Sequence, residues 1–357
     1  MSRRGEAQAL PESDRLEGAP HPRETYGFFG NAAAERALLD AYRGNRLAQA
    51  WILSGPEGVG KATLAWRFAR FLLAHPSAGA PAVQAATSLF VPAEAPAARQ
   101  MAAMALADLF PLRRAWNDKT KKFYTEIRVD DVREVTHGLH SASGTGGWRV
   151  AIVDTADDLN RSSANALLKV VEEPPERALF LLIANQPGRI LPTIRSRCRK
   201  LSFEPLPSEE ICAAVRALGG EVAQTPQEQL QAAANASGGS VRETLRLLDG
   251  DGVLFDATLR ALLGNLPRVE WGAVHALADR LTGRDNEEAF ETFLRGLRRW
   301  MDGRVREFAG QGAGRVIGYA QAWDDIAVAV RETEVFNFDK KALVVGIFER
   351  LAKAAGG

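Results

Sequence analysis

Apolar residues along this 357-residue chain follow two regimes. Through the first 205 residues, short unbroken apolar runs alternate with amphipathic stretches. The runs AWILS (Ala50–Ser54), WRVAIVD (Trp148–Asp154) and ALFLLIAN (Ala178–Asn185) read as strands buried on both faces. Between them, KATLAWRFARFLLAH places Leu64, Phe68, Phe71 and Leu72 at i, i+4, i+7 and i+8, the spacing of one helix face. RSSANALLKVVEE (Arg161–Glu173) predicts a helix with a serine cap signal and a stop at Pro174 and Pro175. TEIRV (Thr125–Val129) alternates and predicts a strand, followed by a helix near Asp130 to His140. ILPTIRSRCRKLSF (Ile190–Phe203) predicts a helical turn feeding a short final strand. Strands alternating with helices predict an α/β domain built on a parallel sheet.

Past Pro205–Pro207 only helical spacing remains, so the chain divides into four stretches. Residues 1–23 are polar and predict a flexible tail. Residues 24–205 hold the α/β domain, with an Ala/Pro-rich insertion at 75–100 expected to be partly loop. Residues 206–252 predict a small helical domain, and 253–357 a further domain of four or five helices.

Charge adds little. With 45 basic and 44 acidic residues, any nucleic-acid contact must be local. No run of about 18 apolar residues exists to span a bilayer, and the start lacks the apolar segment of a secretion signal, so a cytoplasmic location and no membrane partner are expected. Cys198 and Cys212 are the only cysteines, too few for a disulfide framework or a four-cysteine zinc site, and no bound metal is expected.

The chemistry concentrates in GPEGVGKA. Gly55, Gly58, Gly60 and Lys61 fit the phosphate-loop pattern GxxxxGK[ST], between a strand and a helix as that motif requires. Its glycines let backbone N–H groups turn towards phosphates, its lysine brings positive charge, and the helix N-terminus favours an anion. Ala62, however, stands where a hydroxyl would ligate Mg²⁺. Thr63 carries a hydroxyl but lies about 100° further round the helix. Asp154 ends its strand where a carboxylate would face bound Mg²⁺, usually through water. The residue after it is Thr155, where ATPases of this class carry a glutamate that polarises water. Asp157 and Asp158 read as polar residues of the following loop.

The run from Arg149 to Phe203, above all SANALLKVVEEPP and Ser196-Arg197-Cys198, resembles the core of bacterial clamp-loader subunits of the AAA+ class, which belong to DNA polymerase III. The resemblance extends from about Tyr26 to the C-terminus and is strongest between Trp51 and Phe203. It implies a RecA-like AAA+ nucleotide-binding domain, a helical lid (206–252) and a helical collar (253–357) through which five subunits assemble. It implies as partners the delta and gamma or tau subunits in a hetero-pentamer, a sliding clamp, and primed DNA reached through the complex. The motor subunits keep Ser/Thr after the lysine and Glu after the strand aspartate, and both are missing here. A non-motor subunit with weak or absent ATP binding is therefore implied, part of a DNA-directed DNA polymerase holoenzyme but without polymerase or ATPase activity of its own. Whether the chain is itself an enzyme stays open, since an active ATPase and an inert scaffold are the competing readings. By position, Arg197 would be an arginine finger acting on a neighbour's ATP, although Arg195, Arg197 and Arg199 alternate and only one could serve. Arg242 would be the lid arginine that touches phosphate, or an ordinary helix-face residue. Asn185 would be the polar sensor residue at a strand end. Many relatives carry a four-cysteine zinc module where this chain has its cysteine-free insertion.

Overall fold

The computed structural model describes residues 11–141, 146–282, 287–308 and 313–356. It divides into two compact units, Met1–Arg246 and Leu247–Gly357.

The first unit contains β1 (Ala50–Ser54), β2 (Leu109–Arg113), β3 (Trp116–Asn117), β4 (Lys122–Phe123), β5 (Arg149–Asp154), β6 (Ala178–Ala184) and β7 (Arg199–Ser202). Five of these form one sheet in the order β2-β5-β6-β1-β7, all parallel. β3 and β4 form a separate antiparallel hairpin. The helices of this unit are α1 (Ala32–Arg43), α2 (Lys61–Ala74), α3 (Pro81–Ala85), α4 (Pro96–Ala102), α5 (Val129–His140), α6 (Arg161–Glu172), α7 (Pro192–Arg195), α8 (Ser208–Leu218), α9 (Gln227–Ala236) and α10 (Val241–Leu248).

The period-two alternation of strand side chains explains the two-layered core. Trp51, Leu53, Leu179, Leu181 and Ile183 pack on one face with Leu64, Phe68 and Phe71 of α2. Ile52, Ala151, Val153, Phe180 and Leu182 pack on the other with Val132 and Leu139 of α5 and Leu167 and Val170 of α6. All seven residues of β6 are buried, which is why its sequence is apolar without alternation. Each large side chain so buried contributes about 1.5–3 kcal/mol. This is a RecA-like AAA+ arrangement, with the glycine loop leaving β1 where the strand order reverses.

Several local expectations are corrected. TEIRV forms no strand: Ile127 makes a single bridge with Leu159, and α5 already starts at Val129. Thr125, Glu126 and Arg128 are exposed, so the alternation has no second strand to pair with. The edge strand is instead β2, which the pattern did not announce because it contains Pro111, a residue tolerated only at an edge. The cap of α6 is Asn160, whose side chain accepts from the Ser163 backbone N–H at 2.9 Å, rather than a serine.

The insertion at 75–100 is packed. Short α3 and α4, each started by a proline, put Val83, Ala98 and Met101 into the α2-side core, and the segment between them adds Leu89 and Val91. Its apolar residues are real anchors whose irregular spacing hides them. The flexible tail is likewise corrected for residues 11–23, while 1–10 lie outside the described residues. His21 is fully buried, edge-on to Trp66 at 5.2 Å, with its Nε2 3.0 Å from the Asp14 carboxylate. Arg113 reaches both Glu12 and Asp14 at 2.7 Å, and Arg23 also reaches Glu12 at 2.7 Å. Arg70 of α2, buried, donates to the Arg23 carbonyl at 2.6 Å. The segment is thus a strap held by buried ion pairs rather than by apolar burial.

Helices α8, α9 and most of α10 belong to the same compact unit as the sheet, and the division falls at Arg246/Leu247, near the end of α10, where the sequence suggested 252/253. The second unit contains α11 (Gly252–Gly264), α12 (Trp271–Leu281), α13 (Glu287–Phe308), α14 (Ala313–Phe336) and α15 (Lys340–Gly356). Leu259, Leu277, Phe293, Leu297, Val344, Ile347 and Phe348 form its core. Among the described residues, no helix is long and apolar enough to cross a membrane.

Candidate nucleotide site

Because β1, β5 and β6 are parallel and in register, with Ser54 beside Ala184 and Asp154 beside Ile183, the residues that follow them converge on one sheet edge. There Gly58, Gly60, Lys61, Ala62, Thr63, Asp154, Thr155, Asn185 and Arg242 line a single cavity of about 420 Å³. Gly55 begins the loop, its N–H donating to the Ala184 carbonyl at 3.2 Å.

The loop needs glycine at two of its turns. Gly60 (φ 94°) is the left-handed residue from which α2 starts. Gly58 (φ 77°) lies so close to the start of α10 that an added Cβ would sit 2.1 Å from the Ser240 hydroxyl oxygen and 2.7 Å from the Arg242 Cβ. Its carbonyl accepts from the Val241 N–H at 2.9 Å.

The cationic side chains that face the cavity are occupied. Lys61 is 3% exposed, and its Nζ donates to the Gly55 carbonyl at 2.8 Å and to the Pro56 carbonyl. Burial pushes its pKa down to about 8, partly opposed by the charges of Asp154 and Glu57. Arg242 Nε lies 3.2 Å from a Glu57 carboxylate oxygen, and Arg246 lies 3.7 Å from the same oxygen. A glutamate inside the glycine loop thus takes the position of a counter-anion for two arginines of α10. The sequence places Glu57 in the loop, but its pairing with residues 185 or more positions later has no local signal.

The acidic side is also perturbed. Burial, with the Asp14 charge second, pushes the Asp154 carboxyl up to about 7, against the lowering effect of Arg242 and Lys61. Asp14 comes from the strap, which lines the cavity with Leu16, Pro20 and Pro22. Position 62 offers no oxygen to a metal ion, and Thr155 offers no carboxylate to a water molecule. The residues present therefore do not fit a hydrolytic Mg²⁺–ATP centre. Asp157, read from sequence as a loop residue, ties the loop to the end of β6, because its carboxylate accepts from the backbone N–H groups of Asn185 at 2.6 Å and Gln186 at 3.1 Å. Asp158 pairs with Arg114 at 3.2 Å.

Arg197 is not part of this cavity. It lies between α7 and β7, at the sheet edge where strands enter, whereas the phosphate loop lies where they leave. The register sets Arg199 beside Trp51 and Ser202 beside Ser54, so the two edges are separated by at least about 10 Å of strand. The Arg197 guanidinium is 42% exposed, 2.8 Å from the Glu172 carboxylate, and donates to the Thr193 carbonyl at 3.0 Å. Its neighbours differ: Arg199 lies over the Trp51 ring at 5.0 Å, and Arg195 donates to the Pro187 carbonyl at 3.4 Å.

Cys198 and Cys212 are both buried and free, and burial pushes the Cys198 thiol up to about 11. Among the described residues, no group of three or more His, Cys, Asp or Glu is placed to hold a metal ion.

The family model described as DNA polymerase III, delta subunit, matches residues 30–207. The chain is 38% identical over 160 residues to DNA polymerase III subunit delta' of Pseudomonas aeruginosa, a match covering 45% of this chain and 44% of that one. It is 45% identical over 83 residues to subunit delta' of Escherichia coli, covering 23% and 25% of the two chains. It is 30% identical over 237 residues to the tau subunit of the same organism, covering 64% and 34%. The matched segments thus span less than half of each relative. The glycine loop and the segment from Arg149 to Phe203 both lie inside the region that the family model matches, and the chain belongs to the clamp-loader family of DNA polymerase III subunits.

Proposed function

We propose that the chain is a non-motor clamp-loader subunit of the delta-prime type, which helps load a sliding clamp onto primed DNA and completes a neighbour's ATPase site with Arg197. The observation that carries this reading is the position of Arg197. A guanidinium at the strand-entry edge cannot reach phosphates held at the strand-exit edge of its own sheet, so any phosphate it serves belongs to another chain. It is also accessible, with 42% of its side chain exposed, and stays charged at all relevant pH. A planar fork of donors suits the charge that develops on a transferred phosphoryl group.

The chain's own site supports the non-motor role. Ala62 and Thr155 lack the metal ligand and the water-polarising carboxylate, and Glu57 competes for the lid arginines. ATP is therefore bound weakly or not at all and not turned over. The partners in this reading are delta and gamma or tau subunits in a cytoplasmic hetero-pentamer, joined through the helical unit that starts near residue 253. An active ATPase would need both lost functions replaced, and an inert scaffold would need Arg197 to do nothing.

The test uses the complete complex carrying Arg197→Ala. Arginine fingers are worth about 10³–10⁵ in rate at the site they serve. Only one of several motor sites faces this subunit, so DNA- and clamp-stimulated ATP hydrolysis should fall partially, with clamp loading, while assembly is unchanged. Arg195→Ala and Arg199→Ala should do less. Wild-type hydrolysis and loading with Arg197→Ala would leave the scaffold reading in its place.

A further inference from the structure

The hairpin of β3 and β4 carries a charge that the rest of the molecule does not explain. The chain uses 36 arginines and nine lysines, yet three of the nine, Lys119, Lys121 and Lys122, fall within four residues at this hairpin's tip. All three are exposed. Among the described residues their one ion pair is Lys121 with Asp118, at 3.8 Å and so open that both side chains are about 70% exposed. Several arginines elsewhere are matched one helical turn away, as Arg128 is by Asp131, Arg133 by Asp130 and Arg304 by Glu307.

The tip is also held in place. Asn117 accepts on its side-chain oxygen from the backbone N–H groups of Lys119 at 3.0 Å and Thr120 at 3.3 Å, and its carbonyl accepts from Lys121 N–H at 2.9 Å. Trp116 and Phe123 pack edge-to-face across the strands at 5.0 Å. At the root, Arg113 is anchored to Glu12 and Asp14, and Arg114 to Asp158. A two-stranded hairpin is marginal alone, so this one depends on those anchors for its fixed direction.

We propose that this hairpin is a contact surface for the phosphodiester backbone of a nucleic acid. Most of the ion pairs found among the described residues use arginine, whose fork matches two oxygens, with Lys341 and Asp279 an exception; at the tip the molecule uses lysine, a compact, hydrated point charge suited to non-directional phosphate contacts. Trp116 and Phe123 are spent on each other, so the contact is independent of sequence. The charge argument stands alone and rests on the clamp-loader reading only for the choice of DNA as probe.

The test is fluorescence anisotropy of the full-length chain with a labelled 30-nucleotide single strand between 50 and 200 mM salt. Each phosphate neutralised adds about 0.7 to the log–log salt slope. The variant Lys119→Ala/Lys121→Ala/Lys122→Ala should bind at least about tenfold more weakly at 50 mM salt and lose about 2 from that slope. The matching triple arginine variant should keep both. The proposal is overturned if wild-type chain shows no salt-dependent binding, or if the alanine variant binds equally well. It is also overturned if a polyglutamate peptide, and not DNA, binds in a lysine-dependent way, which would make the partner an acidic protein segment. ATP hydrolysis by the complex carrying Arg197→Ala is read separately, so failure here and failure of the finger role are distinguishable.

Discussion

Asp154→Asn should stabilise this protein increasingly as pH rises from about 4 to 7, and by a constant amount above that. The Asp154 carboxyl is pushed up to about 7 by burial and by the nearby Asp14 charge, whereas an unperturbed aspartate titrates near 3.9. Below about pH 4 the group is protonated whether the chain is folded or not, and it costs nothing. Between about pH 4 and 7 the unfolded chain releases this proton while the folded chain holds it, so stability falls as pH rises; above 7 the penalty is constant. A shift of three units corresponds to about 4 kcal/mol at 1.36 kcal/mol per unit. Partial access to the cavity and the nearby Lys61 ammonium reduce the usable figure to about 1–2 kcal/mol. Asparagine keeps the shape and cannot ionise. Calorimetry of the N-terminal unit's transition should therefore show Asp154→Asn melting about 2–6 °C above wild type at pH 8 and level with it at pH 4. Lys61, lowered to about 8, has the opposite dependence, adding stability as pH rises from 8 towards 10.5, so the comparison is made no higher than pH 8. A variant no more stable than wild type at pH 8, or equally stabilised at both pH values, would refute the burial of an uncompensated carboxylate.

Two further outcomes test the site and its cover. Glu57→Gln should release Arg242 and Arg246 and tighten metal-free ATP binding about 5–10-fold, worth about 1 kcal/mol for a half-exposed pair, as read by fluorescent-nucleotide titration; unchanged affinity would show that Glu57 is no competitor. Asp14→Ala should strip buried His21 of its carboxylate and Arg113 of one of its two, cost about 3 kcal/mol and expose residues 11–24 to protease, and an unaltered melting temperature with intact protection would remove the strap's structural role.

The runs AWILS, RVAIVD and ALFLLIA announced the central strands because a parallel sheet covered on both faces must be apolar at every position, a demand each strand meets from its own residues. GPEGVGKA, with Asp154 and Thr155, was legible for the same reason: loop geometry and the presence or absence of an oxygen are local facts. Tertiary structure decided the rest. Strand β2 depends on having β5 beside it, and Pro111 is acceptable only because no strand lies on its other side. TEIRV had the alternation of a strand but no partner. The strap looks unfolded in sequence because its partners are polar and distant, Asp14 meeting Arg113 across 99 positions. Glu57 meets Arg242, and Arg197 meets Glu172, by the same kind of long-range pairing. Above all, the sheet separates Arg197 from the chain's own phosphate loop, since a parallel register puts strand entries on one edge and strand exits on the other; no local pattern encodes that distance.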